Sequence, residues 1–141
     1  MKRVVLDTGV IISALLKKDG VSRRAFLIAV DKCKPLISLP TLSELEEVLS
    51  RPKFKSAITQ EEAMEAMEIL AQRCEMIVVD STFAACRDKK DDIFLNLAID
   101  GKADVLLSRD PDLLILHPFR HIPILNPADF IQWIGETSSI S

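Results

Sequence analysis

A chain of 141 residues, 48% of them hydrophobic, is enough for one buried core and leaves no need for a second domain. Charged residues make up 28% with a net charge of only -3, which excludes both a disordered acidic tail and a uniformly basic nucleic-acid coat. The cysteines Cys33, Cys74 and Cys86 are odd in number and lack a C-x-x-C pair, so neither a disulfide framework nor a zinc site is expected, and a reducing cytoplasm suits them.

Val4 to Leu6 read as a short buried strand, and Val10 to Leu16 as a helix following the Thr8-Gly9 turn. Lys2-Arg3 ahead of apolar residues mimics a signal peptide, but Asp7 interrupts the apolar run and no small-residue cleavage site follows, so export is not expected. No apolar run approaches the roughly 20 residues of a membrane span, and no membrane association is expected. After Gly20, Ser22 is a candidate cap for a helix with Ala25, Phe26, Ala29 and Val30 at helical spacing. Leu36 to Leu39 form a second strand. Pro40-Thr41 opens a helix with Leu42, Leu45, Val48 and Leu49 on one side, ending near Arg51-Pro52 because proline disfavours helical geometry at the residue before it. Thr59 begins another helix, reaching about Arg73, with Ala63, Met67, Leu70 and Ala71 at core spacing. Met76 to Val79 read as a third strand. The charged loop from Arg87 to Asp92 leads into an almost wholly apolar helix, Ile93 to Ile99, stopped at Gly101. Val105 to Leu107 and Ile122 to Leu125 supply two more strands, and Pro127 opens a last helix through Ile134, followed by a frayed tail.

Strands alternate with helices and are uniformly apolar, the pattern of a sheet covered on both faces. The fold class expected is α/β: a single three-layer domain with a mainly parallel central sheet of about five strands flanked by helices.

Ligands of open parallel sheets bind beyond the carboxyl ends of the strands. Asp7 follows the first strand, Glu44 the second and Asp110 the fourth, while Asp91 and Asp92 precede a buried helix. Taken singly, each acid is explained by helix capping, with Thr41 and Glu44 spaced as a capping box and Asp110-Pro111 as a cap and first-turn pair. Together they are not. A helix N-terminus stabilises one anion by about 0.3 to 1 kcal/mol, less than the repulsion among several carboxylates in one crevice. A divalent cation resolves the conflict, and an all-oxygen ligand set suits Mg²⁺ or Mn²⁺.

Four segments, Val5-Leu6-Asp7-Thr8-Gly9-Val10, Leu42-Ser43-Glu44-Leu45-Glu46-Glu47-Val48-Leu49, Lys90-Asp91-Asp92-Ile93-Phe94-Leu95-Asn96-Leu97-Ala98 and Ala103-Asp104-Val105-Leu106-Leu107-Ser108-Arg109-Asp110-Pro111-Asp112, resemble in order the acidic motifs of PIN domains. With Arg51-Pro52-Lys53-Phe54 after the second, the likeness is nearest to short prokaryotic toxins of toxin-antitoxin pairs. It implies a PIN-like nuclease domain over residues 1–134, a tail over 135–141 and Mg²⁺- or Mn²⁺-dependent endoribonuclease activity. It also implies an RNA substrate, a protein antitoxin and a homodimer. By residue it implies catalytic Asp7, Glu44, Asp92 and Asp110, with Asp7, Asp92, Asp110 and Asp112 holding metal. Asp92 is preferred to Asp91 because Leu95 and Ala98 follow it three and six residues on. Thr8, Asp91, Ser108 and Arg109 are expected to support the site. Gly9 stands where the family most often has asparagine, and Arg109 where it commonly has glycine.

Arg51, Lys53, Lys89 and Lys90 are candidates for contacts to backbone phosphates, with Lys17, Lys18, Lys55 and Arg109 behind them. The alternative is a catalytically weakened PIN-like or other Mg-binding α/β module acting through protein or RNA binding. A receiver domain fits less well because an acid follows the first strand alone. A haloacid-dehalogenase-like phosphatase needs a second aspartate where Gly9 stands.

Overall fold

The computed structural model describes residues 1–140, with side chains through Thr137; Ser141, the end of the expected tail, lies outside them. Five strands form one parallel sheet: β1 (Arg3–Leu6), β2 (Lys34–Ile37), β3 (Glu75–Met76), β4 (Val105–Leu107) and β5 (Ile124–Leu125), in the order β3-β2-β1-β4-β5. Successive residues of a strand point to opposite faces. Val4 and Leu6 therefore join one core with α1 (Thr8–Leu16), α2 (Val21–Lys32), α3 (Leu39–Leu49), α5 (Gln60–Arg73) and α8 (Pro127–Ile140). Val5 and Leu106 enter a second core, built on α6 (Asp92–Asp100) and α7 (Pro111–Leu114). The expected three layers are present. The remaining helix, α4 (Pro52–Lys55), is a single turn opened by the proline that ends α3.

Several element ends differ from expectation, each for a local reason. The second strand stops at Ile37 because Ser38 caps α3, exchanging hydrogen bonds with Thr41 in a reciprocal box; Leu39 is thereby in the first helical turn and 68% exposed. The capping box is thus Ser38 with Thr41, not Thr41 with Glu44, and Glu44 is released for other work. Gly20, not Ser22, stands at the N-cap of α2, and Ser22 is buried inside the helix. α5 starts after Thr59 as expected, capped by a reciprocal box with Glu62, but Ala66 is buried where Ala71, expected in the core, is exposed. β3 starts and ends earlier than Met76–Val79, and α8 continues past Ile134 to Ile140 where fraying was expected. Among the described residues no helix is long and apolar enough to cross a membrane.

Central β1 leads to β2 on one side and pairs with β4 on the other, which makes its carboxyl end a topological switch point. Register carries this to individual residues. Leu6 pairs with Leu107, so Asp7 and Ser108, the next residues of two adjacent strands, emerge side by side.

Candidate functional site

Asp7 is buried and caps α1, its Oδ1 accepting from Val10 N–H at 2.8 Å. Its Oδ2 accepts from the Ser108 hydroxyl. Burial pushes its carboxyl up from the usual 3.8 to about 6, against the pull of its hydrogen bonds with Ser108, Val10 and Arg109; Asp110 nearby adds to the rise. Ser108 Oγ also accepts from Asp110 N–H at 2.9 Å, so one hydroxyl ties the first acidic motif to the fourth. Asp110 caps α7 through Asp112 N–H at 2.9 Å, which sets Asp112 one short step along the same turn.

Asp91 completes the cluster. It ends a 3-10 turn, Lys89–Asp91, which is capped by Asp88 and runs into α6. Ligand oxygens of Asp91, Asp110 and Asp112 lie within 4.8 Å of one another, and Asp91 Oδ2 is buried with no hydrogen-bond partner. Burial and contact with Asp110 raise the Asp91 carboxyl well above the usual carboxylate range, with the charges of Asp110, Asp88 and Asp7 acting the same way. A buried carboxylate oxygen without a donor is costly in a water-free setting. All the donors here are hard oxygens, so the residues fit a Mg²⁺- or Mn²⁺-sized cation.

Asp92 is placed differently. It is buried, and its Oδ1 accepts from the backbone N–H of Ala85 at 3.2 Å and Cys86 at 2.9 Å, holding the preceding loop. Of the two adjacent acids, the structure therefore brings Asp91 to the cluster and gives Asp92 to the backbone. One residue is about 100° around a helix, enough to send neighbouring side chains to different sides. The thiol beside Asp92, Cys86, is pushed up to about 12 by burial and by its hydrogen bond to that carboxylate.

Asp7, Asp91 and Asp110 line one cleft of about 650 Å³, together with Glu44; Asp92 and Asp112 are not among its lining residues. Thr8 Oγ1 donates to Glu44 Oε2 at 2.8 Å and so fixes one oxygen of the second-motif acid. Ile12, Leu16, Val48 and Phe54 form an apolar wall, and Arg51, Lys90 and Arg109 supply exposed cations at the rim. Arg51 is held by Glu47 at 2.8 Å, and Lys53 sits 4.8 Å from the centre of the Phe54 ring. Lys89 is exposed and is not among the residues that line the cleft. His117 accepts from Ile124 N–H through Nδ1 and is likewise outside the lining, in keeping with a structural part. The sequence marks Arg87 and Asp88 only as members of a charged loop; Asp88 lines the cleft, and Arg87 pairs with Asp112 at 3.1 Å.

Sheet order, switch point and acidic cleft together define a small parallel α/β protein with a carboxylate centre. The sequence pattern of the PIN domain family matches residues 3–112, and the chain belongs to that family. It is 28% identical over 142 residues to the uncharacterized protein MJ1680 of Methanocaldococcus jannaschii, with 92% of this chain and 90% of that one covered. A chain of VapBC2 from Rickettsia felis, crystallised with a DNA fragment from their promoter, superposes with a TM-score of 0.61 at 18% identity, covering 88% of this chain and 98% of that one. A domain of a functionally unknown protein from M. jannaschii superposes with a TM-score of 0.58 at 22% identity, covering 89% and 91%. At these identities the structural likenesses speak for the fold.

Proposed function

We propose that this protein is a divalent-metal-dependent endoribonuclease centred on Asp91, Asp110 and Asp112, with Asp7 and Glu44 beside them. The observation that carries the reading is Asp91 Oδ2, an orphaned buried oxygen grouped with the carboxylates of Asp110 and Asp112, at a place where Asp91 and Asp110 line a cleft with a cationic rim. Family membership supports hydrolysis of RNA as the use of such a centre. A bound Mg²⁺ or Mn²⁺ supplies charge neutralisation, activation of water and polarisation of the phosphodiester.

The chain's own residues do the positioning. Ser108 sets Asp7 and the turn that carries Asp110. Thr8 holds Glu44 by one oxygen and leaves the other to accept a proton from attacking water. Lys90 and Arg109 at the rim bind backbone phosphate, with Arg51 available when it leaves Glu47. In this reading Asp91 takes the metal-binding place that the sequence suggested for Asp92. The apolar wall and the likeness to a VapBC2 chain support a toxin role, with a partner protein covering the cleft. A homodimer in solution and a cytoplasmic location go with that role.

The test is digestion of RNA with Mn²⁺, with and without chelator, by the wild type and by Asp91→Asn and Asp7→Asn. Cleavage lost on chelation and in both variants is the expected result. Undiminished cleavage by Asp91→Asn, or in excess chelator, overturns the reading.

A further inference from the structure

Arg87 lies against the acids yet takes no part in the proposed cleavage of RNA; a role for it rests on Asp91, Asp110 and Asp112 being a metal centre. Its Nε is 3.1 Å from Asp112 Oδ1 and its Nη2 is 3.5 Å from Asp112 Oδ2, so the guanidinium meets both oxygens of a candidate ligand. The arginine side chain is 87% exposed and that of Asp112 only 22%, so the pair reaches from solvent into the edge of the cluster. The backbone aims it. Asp92 Oδ1 grips the N–H groups of Ala85 and Cys86, the two residues directly before Arg87, and Cys86 is itself buried. Asp92 thus acts at one remove, by holding the loop that delivers an arginine to Asp112.

We propose that Arg87 is a built-in counter-cation that competes with the divalent metal for Asp112. Without metal, three carboxylates within 4.8 Å of one another repel, and a guanidinium on the outermost one offsets part of that charge while most of it stays in water. Arg87 occupies a lone pair on each oxygen of Asp112 and draws off part of its charge, so a cation that uses Asp112 meets a weaker ligand. Exposed ion pairs are weak, so this latch lowers metal affinity by about two- to fivefold and does not abolish binding. Competition and orientation make opposite predictions here. An arginine that merely oriented Asp112 for the metal would weaken binding when removed.

The experiment is calorimetric titration of Mn²⁺ into metal-stripped wild type, Arg87→Gln, Asp112→Asn and the double variant. Lys89→Gln serves as a control, removing the same charge from the same loop without breaking the ion pair. Arg87→Gln is expected to bind Mn²⁺ about two- to fivefold more tightly than the wild type, Lys89→Gln to change affinity less, and the gain to vanish when Asp112 is also replaced. Equal or weaker binding by Arg87→Gln, a gain matched by Lys89→Gln, or a gain that survives Asp112→Asn overturns the latch and leaves the metal centre standing. Failure of the wild type and Arg87→Gln alike to bind Mn²⁺ overturns the metal centre and the latch with it.

Discussion

The Ser108 hydroxyl donates to Asp7 Oδ2 across 101 residues of sequence, and both groups are buried. It ties a side chain at the end of β1 directly to a side chain at the end of β4 in the acidic cleft. Ser108→Ala leaves a buried carboxylate oxygen without that donor and frees the Asp110 N–H as well. The expected loss is about 1 to 3 kcal/mol of stability, together with weakened cleavage. Thermal and urea denaturation measure the first; an unchanged melting temperature would show that the tie contributes nothing.

Stability of the metal-free protein should fall as pH rises. Asp7 is raised from 3.8 to about 6 and Asp91 is raised further, so the folded state holds protons that the unfolded chain has released. Where the native state binds more protons, stability decreases with pH: this contribution is complete below about pH 4 and is lost as pH climbs through 6 and beyond. Groups with lowered values, such as Glu75 and Asp100, act in the opposite sense only below their usual 4.5 and 3.8, under the range from pH 5 to 8 in which the melts are made. Urea melts in chelator at pH 5, 6, 7 and 8 should give declining midpoints, and saturating Mn²⁺ should flatten the decline. A midpoint that rises with pH in chelator contradicts the assignment of Asp7 and Asp91 as buried, unneutralised acids.

Asp91 and Asp92 can be separated by their opposite effects on stability. Asp91→Asn keeps the shape but removes an acid that the unfolded chain ionises at neutral pH and the fold holds protonated, so it should raise the melting temperature in chelator at neutral pH while abolishing the stabilisation by Mn²⁺. Asp92→Ala strips the acceptor from two backbone N–H groups and should cost about 1 to 3 kcal/mol with or without metal. Differential scanning fluorimetry of the two variants, with chelator and with Mn²⁺, checks both. Equal behaviour would mean that the two acids share one environment.

That contrast marks where the sequence stops being legible. The parallel sheet, the placing of Asp7 and Asp110 at strand ends and the Thr59 cap all follow from apolar runs and local spacing, and they stand in the structure. The choice between Asp91 and Asp92 does not, because it is set by where a 3-10 turn hands over to α6 and by two amides of a loop without repeating pattern. Likewise Thr41 has two partners at the same spacing, Ser38 before it and Glu44 after it. Only the end of β2 at Ile37 decides for Ser38. Arg87 carries no periodic signal at all, since its contact with Asp112 joins a loop to the first turn of α7.

Two glycines respond oppositely to a side chain. Gly9 is exposed in the first turn of α1, and a Cβ there would lie 3.5 Å from Asp7 Oδ1, an ordinary contact. Gly9→Asn, which supplies the side chain usual in the family, should therefore change stability by no more than about 0.5 kcal/mol. Because Gly9 lines the cleft, the same change adds a polar group beside Asp7, and Mn²⁺-dependent RNA cleavage should rise. At Gly101 a Cβ would stand 2.6 Å from Leu36 Cδ1 and 2.9 Å from the Leu97 carbonyl oxygen. The leucine can shift, but the carbonyl ends a helix that packs on the sheet and accepts the Gly101 N–H at 2.8 Å. Gly101→Ala should accordingly lose about 1 to 3 kcal/mol by overpacking. Urea titration of both variants settles the pair, and a Gly101→Ala protein as stable as the wild type would show that the end of α6 moves away from β2 at little cost.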